Sequence, residues 1–417
     1  MAFLSRFFGS QDKTPLPALD ELLAERGLSA DLEGLAPFKA EFQHLRAQER
    51  VRWADALAET VRKGWPLPPD WVDAQFDLRP QVVPLWAAER DGFYYRPHID
   101  GLAVRILACG QVMPETWFTL WGLHPQDILD RAMDHLRELS KDQPFQRQAT
   151  GIYQAAYKDG QAASRLLLPE LWEGLFPGQN TFVAVPTEDR LLVAPQVLLP
   201  KLVEAIGAGL QAGGRRIAAT IYQKVHEHIL PANLQDPHPM AQPQRELRQS
   251  DLAEAYRAQE ADLDRALGLP APLGLLRTQQ GRSVSMATWQ EGEPALLPDS
   301  DLVAFVARTG QPLGIYFRQT LPRISELHGT QVDIWGPRRL RYEGFPTVAQ
   351  LDRLECFATG EQMAALFKNA GQGGAPAPRP STAALANQAN PGALSGQASS
   401  PVPAHLRGLS LGVQSDD

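Results

Sequence analysis

The sequence predicts an α+β or mixed α/β protein, with two sheet-and-helix modules followed by a disordered C-terminal tail. Three observations carry that expectation: a regular alternation of helix, strand and turn signals between Trp117 and Val197, a proline-punctuated stretch after residue 229, and an end dominated by Gly, Ala, Pro, Ser, Gln and Asn. They divide the chain into a first module over 1–229, a linker over 230–245, a second module over 246–370 and a tail over 371–417. A length of 417 residues, 44% of them hydrophobic, supplies enough apolar surface for two cores.

The first module opens with helical spacing over Leu16 to Arg26 and Phe38 to Val61. In the second of these, Phe38, Phe42, Leu45, Trp53, Leu57 and Val61 share a broad face while Glu and Arg occupy the remainder. Trp65-Pro-Leu-Pro-Pro69 ends the helical region. Gln81 to Ala87, Phe93 to Arg96 and Leu102 to Ala108 are candidate strands, with Arg90-Asp-Gly92 and Asp100-Gly101 as turns. Pro125 suits a first helical turn, and Ile128, Leu129, Ala132, Met133, Leu136 and Leu139 then keep one face apolar.

Gly151 to Tyr157 has strand composition, and Lys158-Asp159-Gly160 reverses the chain. Ala162 onward predicts a helix ending near Leu168, since Pro169 breaks it. Thr181 to Val185 and Arg190 to Ala194 read as a hairpin around Pro186-Thr-Glu-Asp189. Leu199 to Gln211 is a helix stopped by Gly213-Gly214, and Ile217 to Val225 is a strand.

In the second module a helix from Glu246 to Leu267 is polar at most positions. Strands are expected over Leu273 to Arg277, Arg282 to Gln290, Leu302 to Ala307, Gly314 to Arg318 and Gln331 to Trp335, and a helix over Val348 to Phe357. Leu297-Pro-Asp-Ser-Asp301 echoes Val185-Pro-Thr-Glu-Asp189, each placing an acid three residues beyond proline before an apolar strand, an arrangement that duplication or ordinary turn chemistry produces. Beyond residue 371 there is too little apolar area to offset the entropy of ordering. Leu406, Leu409, Leu411 and Val413 read as a docking peptide or as part of an inert tail.

A formal charge of -8 argues against a nucleic acid as main partner. Cys109 and Cys356 match neither a disulfide framework nor a zinc motif, which fits a reducing cytoplasm. No transmembrane segment is expected, and Met1 to Gly9 lacks the apolar length of a signal peptide. Phe3, Leu4, Phe7 and Phe8 there suit weak contact with a membrane surface or partner, or docking on their own domain. Gly207-Ala-Gly209 falls inside a predicted helix without the spacing of a dinucleotide fingerprint, so no cofactor is expected.

Ala155-Ala-Tyr-Lys-Asp-Gly-Gln-Ala-Ala-Ser-Arg-Leu-Leu167, followed by Phe182-Val-Ala-Val-Pro-Thr-Glu-Asp-Arg-Leu-Leu192, resembles the YtpQ-like family of uncharacterised bacterial proteins. Trp121-Gly-Leu with its helix fits the same pattern, and the likeness covers roughly the first half to two thirds of the chain. Between Asp-Gly and Ala-Ser-Arg the family has an aromatic and an acidic residue, where this chain has Gln161 and Ala162. The resemblance implies an intracellular α/β domain and no established activity.

Asp159, Ser164, Arg165, Glu188 and Asp189 are the candidate ligand-binding residues. A guanidinium held by a carboxylate presents a fixed donor fork to an anion, yet the same pair serves equally as an Arg-Asp bridge tying turn to helix, with Ser164 as a local cap. As a catalytic nucleophile Ser164 needs a base from elsewhere, and no Gly-x-Ser-x-Gly elbow surrounds it. His226-Glu-His228 places two imidazoles on one face of an extended segment; a metal there needs a third ligand from His238, His98 or Asp100, and a solvated strand end is the plainer account. Arg338-Arg339-x-Arg341 reads as a solvated basic rim. The expectation is an intracellular binding or accessory protein for a protein partner or an anionic small ligand; the alternative is a hydrolase using the Asp/Ser/Arg cluster or a His-based metal site.

Overall fold

The computed structural model describes residues 16–29, 32, 35, 39, 42–142, 145–226, 228–234, 238–277 and 283–371, with side chains as far as 365. The apolar N-terminal residues Phe3 to Phe8 and the tail beyond 371 lie outside the described residues. The architecture is mixed α+β, with four sheets among the described residues and helices packed against them.

The first sheet contains β1 (Leu78–Pro84), β2 (Arg96–Pro97), β3 (Leu102–Ala108) and β4 (Gln111–Val112), with β3 pairing all the others. β1 and β3 run antiparallel from Leu78 opposite Ala108 to Pro84 opposite Leu102. One set of their residues, including Leu78, Ile106 and Ala108, packs beneath the helices Ala47–Arg62, Thr116–Trp121 and Pro125–Ser140. Tryptophans hold that helical layer: Trp117 and Trp121 donate from Nε1 to the carbonyls of Pro66 and Pro69 at 2.9 and 3.0 Å. The prolines supply acceptors without donors of their own, so the indoles satisfy the Pro-rich turn that ends the second helix.

The strand expected to reach Ala87 stops at Pro84, and Leu85–Asp91 is a helix closed by Gly92 at φ 69°. Leu-Trp-Ala-Ala-Glu-Arg is a run of helix formers once proline has ended the ladder, and glycine accepts the left-handed cap without strain.

The second sheet is wholly antiparallel. Its strands are β5 (Phe145–Arg147), β6 (Tyr153–Ala155), β7 (Thr181–Ala184), β8 (Leu192–Pro195), β9 (Ile221–Val225) and β10 (His228–Pro231), in the order β10-β9-β7-β8-β6-β5. The expected hairpin forms between β7 and β8, with Val183 opposite Val193. Helix Leu199–Gln211, in its expected place, covers one face through Leu202, Ile206 and Leu210. On the other face Val183, Val193 and Tyr222 share a core with Val82, Leu102 and Val104 of the first sheet. Residues 162–167 form a 3-10 helix, and two more 3-10 turns follow at Pro169–Leu171 and Glu173–Leu175.

The remaining sheets face one another. One joins β11 (Leu269–Pro270), β14 (Ala295–Pro298), β17 (Thr330–Gln331) and β18 (Arg339–Tyr342); the other joins β12 (Leu273–Arg277), β13 (Ser283–Gln290), β15 (Leu302–Val306), β16 (Pro312–Phe317) and β19 (Cys356–Thr359). Trp289, Leu297, Phe305 and Tyr342 fill the space between them. β14 and β18 were not expected from sequence, and the helix expected over 348–357 divides into a short helix, Val348–Leu351, and strand β19. Of the basic triplet Arg338 is exposed, whereas Arg339 begins β18 with no exposed surface and is not part of a solvated rim. Its Nη1 donates to the carbonyls of Ala271 and Leu296, its Nη2 to that of Tyr256, and its Nε to Gln259 Oε1, all between 2.9 and 3.0 Å.

Less of 230–245 is spacer than its prolines suggest, because Pro231 closes β10 and Ala241 begins a long helix, Ala241–Asp262. Two stripes explain why that helix is so polar. Gln244, Arg248, Asp251 and Ala255 recur at three- and four-residue steps, Asp262 follows two turns later, and all reach toward the first two sheets. Gln242, Gln249 and Tyr256 reach the last two, bonding to Ser283 O, Asp301 Oδ2 and Arg338 O.

Candidate ligand-binding cleft

The sequence-predicted residues form separate structural pairs. Arg165 is fully buried, donates from Nη1 to Asp159 Oδ1 at 2.9 Å and to Gln161 O at 3.0 Å, and lies over the Tyr157 ring 4.0 Å from its centroid. Its Nε donates to Ser140 Oγ at 3.0 Å, which ties the 3-10 helix to the end of helix Pro125–Ser140. Ser164 Oγ accepts from the Val82 N–H of β1 at 3.2 Å. Glu188 is paired with Arg215 at 2.9 Å, and Asp189 accepts from Thr187 Oγ1 at 2.6 Å. Asp189 also lines a polar hollow of about 480 Å³ with Lys158 and three glutamines, Gln146, Gln148 and Gln154. The single ammonium and single carboxylate in that lining offset one another.

The histidine pair is not brought to a third ligand. His226 has φ 53° in the turn before β10, and His228 is exposed on that strand. His238 Nδ1 accepts from Met240 N at 3.1 Å, while Asp100 is bound to Arg248. Among the described residues no three His, Cys, Asp or Glu side chains group as a metal site.

A different place combines a concave, mostly apolar surface with charged side chains. Where the first sheet, the second sheet and the long helix meet, a cleft of about 280 Å³ opens. Pro84, Leu85 and Trp86 form one wall, because β1 ends at Pro84 and the chain turns there into the next helix. Ile217 and Ala218, on the approach to β9, form a second wall; Leu252 and Ala255 of the long helix and Pro337 form the third. Trp86 stacks on Trp335 with centroids 5.6 Å apart and planes at 26°. Arg90 is held bidentately by Asp262 at 2.7 and 3.1 Å, Asp262 also accepts from Trp335 Nε1, and Glu89 accepts from Gly336 N at 2.7 Å. These contacts fix the mouth of the cleft from both sides.

Its polar groups come from one helix face and the loops opposite. Arg248 Nη2 donates to Asp100 Oδ2 at 2.6 Å. Asp251 Oδ2 accepts from Ala219 N, whereas its Oδ1 is shielded from solvent and has no donor among the described residues. Burial pushes the Asp251 carboxyl up to about 6; the Ala219 N–H, Arg216 and Arg248 pull the other way, and Glu254 adds to the rise. A carboxylate perturbed by burial, beside Asp100 and Arg248 in a mostly apolar cleft, is the kind of convergent polar group that marks a small-molecule site. Sequence reading missed Asp251 because its helix looked polar at most positions. The spacing 244, 248, 251, 255 was the available signal, with a small alanine at the position that leaves room.

Comparison of the chain with protein-family models, with curated proteins and with solved structures gives no match.

Proposed function

We propose that this chain is a binding protein that holds a small molecule in the cleft between its sheets and its long helix, in the cytoplasm. The observation that carries the reading is the cleft of about 280 Å³, whose mostly apolar walls surround a few convergent polar groups, Asp100, Arg248 and Asp251.

Binding suits the lining better than catalysis: Thr220 supplies the only hydroxyl among the cleft's lining residues, which include no Cys, His or Lys side chain. Three carboxylates, Glu89, Asp100 and Asp251, face one guanidinium, Arg248, so the charge there favours a donor over the anionic ligand expected from sequence. Cys109 and Cys356 are both free, in keeping with a reducing compartment. No described helix is long and apolar enough to cross a membrane. The likeness to YtpQ-like proteins belongs to the same reading and adds no activity to it.

The test is a thermal-shift screen of common small metabolites against the wild type and Ala255→Phe, which fills the cleft from a buried position. Ligands should raise the wild-type midpoint and leave the variant unmoved, with circular dichroism unchanged. Hits that shift both proteins equally bind elsewhere and remove the reading.

A further inference from the structure

We infer that the ligand of this cleft is a free α-amino acid with an apolar side chain, its ammonium donating to Asp100, its carboxylate accepting from Arg248 and its side chain lying among Trp86, Ile217 and Leu252. The inference rests on the binding reading above and names the chemistry of its ligand.

The charged groups that a ligand can reach in the cleft form an opposed pair. Arg248, from the long helix, donates from Nη2 to Asp100 Oδ2 at 2.6 Å, and both side chains line the cleft. They are 48% and 39% exposed, so neither is sealed away by the other. Neither side chain makes a further hydrogen bond among the described residues, which leaves Asp100 Oδ1 and most of the guanidinium fork to a ligand. Both partners are fixed from behind. The turn that carries Asp100 is tied to the end of β1, where Leu85 N donates to Gly101 O at 2.7 Å, and Arg248 stands one helical turn before Asp251, whose Oδ2 accepts from Ala219 N.

Such a pair selects a ligand that carries both signs. A lone anion on Arg248 sets its charge against Asp100, a lone ammonium on Asp100 sets its charge against Arg248, and a neutral molecule leaves the charge-assisted bonds unmade. A zwitterion places each charge beside its opposite. The other charges around the cleft are engaged elsewhere: Glu89 accepts from Gly336 N, Arg90 is paired with Asp262, Arg257 with Glu254 at 2.6 Å, and Arg216 donates to Leu210 O.

Size and lining supply the rest. A volume of about 280 Å³ is at the small end of ligand pockets and suits a single amino acid rather than a peptide. Leu85, Trp86, Ile217, Leu252 and Pro337 offer apolar contact, and Trp86 is held by its stack on Trp335. Burying an aliphatic or aromatic side chain there contributes the affinity that an ion pair partly open to water does not. The pair contributes the choice of ligand.

The experiment measures binding of L-phenylalanine and L-leucine at neutral pH by isothermal titration calorimetry. Each is set beside the amine that lacks its carboxylate, phenethylamine or isoamylamine, and the acid that lacks its amino group, hydrocinnamate or 4-methylpentanoate. At least one amino acid should bind roughly tenfold more tightly than both of its analogues, the difference expected for the loss of one charge-assisted bond. Arg248→Gln should bring that amino acid down to the level of its amine, and Asp100→Asn down to the level of its acid. Both positions are partly exposed, so circular dichroism of the variants should match the wild type. If an analogue binds as tightly as its amino acid, or the advantage survives either substitution, the zwitterion is overturned, and the cleft reading stands so long as Ala255→Phe removes the binding. Binding of none of these compounds overturns the zwitterion too, and the cleft reading falls with it only if the metabolite screen also yields no ligand lost in Ala255→Phe. Amino-acid binding that Ala255→Phe leaves unmoved overturns both.

Discussion

Asp251 lets a carboxyl group report on its surroundings through pH. Its folded-state value is pushed up to about 6 by burial, against an ordinary 3.8, so the folded chain binds this proton more tightly than the unfolded chain does. Stability from this group is therefore fully present below about pH 4 and is lost as pH rises through 6, by on the order of 2–3 kcal/mol. Asp251→Asn keeps an acceptor for Ala219 N and removes the titration. Urea midpoints of the two proteins should converge near pH 4 and separate by pH 8, with the variant the more stable; parallel profiles would show that Asp251 is not strained. Arg165 behaves oppositely, because its guanidinium meets Asp159, Gln161 O and Ser140 Oγ in a fully buried place. Arg165→Ala should lower unfolding free energy by about 3 kcal/mol, the cost of orphaning a buried pair, and leave cleft binding intact where the protein is folded. An unchanged denaturation midpoint refutes the bracing role. Of these two residues only Arg165 was legible, since Asp159 lies six positions away across a visible turn. The neighbours of Asp251, Ala219 and Asp100, are 32 and 151 positions distant, and nothing local marks such a meeting.

Elements were readable in proportion to how far their own residues decide them. Helix Leu199–Gln211 and strands β3 and β12 occupy their expected bounds because apolar spacing, glycine stops and β-branched or aliphatic runs agree there. Arg339–Tyr342 hid as a strand because two arginines in four residues read as surface. Arg339 is buried there only because the carbonyls of Ala271, Leu296 and Tyr256 surround it. The helix expected over 162–168 ended where Pro169 required but took 3-10 form, with Ala163 N donating to Glu188 O rather than within the helix. The echo between 185–189 and 297–301 stays local. The first joins neighbours β7 and β8 within one sheet, whereas the second carries the chain from β14 to β15 in different sheets. Asp189 accordingly binds its own turn, while Asp301 accepts from Ser285 N, Ser285 Oγ and Gln249 Nε2 and ties the long helix to β13.

At the scale of the molecule, the long helix decides whether two sets of sheets behave as one body. The first and second sheets already share a core through Val82, Val104, Val183 and Val193, and the last two share another around Trp289 and Phe305. Between these cores stand the helix's two stripes and the cluster of Trp86, Arg90, Asp262 and Trp335. The Arg90–Asp262 pair is partly open to solvent and contributes little by itself. The stacked indoles and the Trp335 N–H bond contribute more, about 2 kcal/mol together, and Gln259 adds bonds to the carbonyls of Trp335 and Pro337. Scanning calorimetry of the wild type should accordingly show one transition, because neither core loses its partner before the shared helix lets go. Trp335→Ala removes the stack and the donor to Asp262 at once, and it should broaden or split the transition while sparing the separate cores. Two resolved transitions in the wild type would mean that the helix does not couple them. The cleft would then lie between bodies that separate before they unfold, and a ligand bound there should raise the first transition by closing them together. In the coupled case the same ligand raises the single transition, because the surfaces it touches belong to everything that melts.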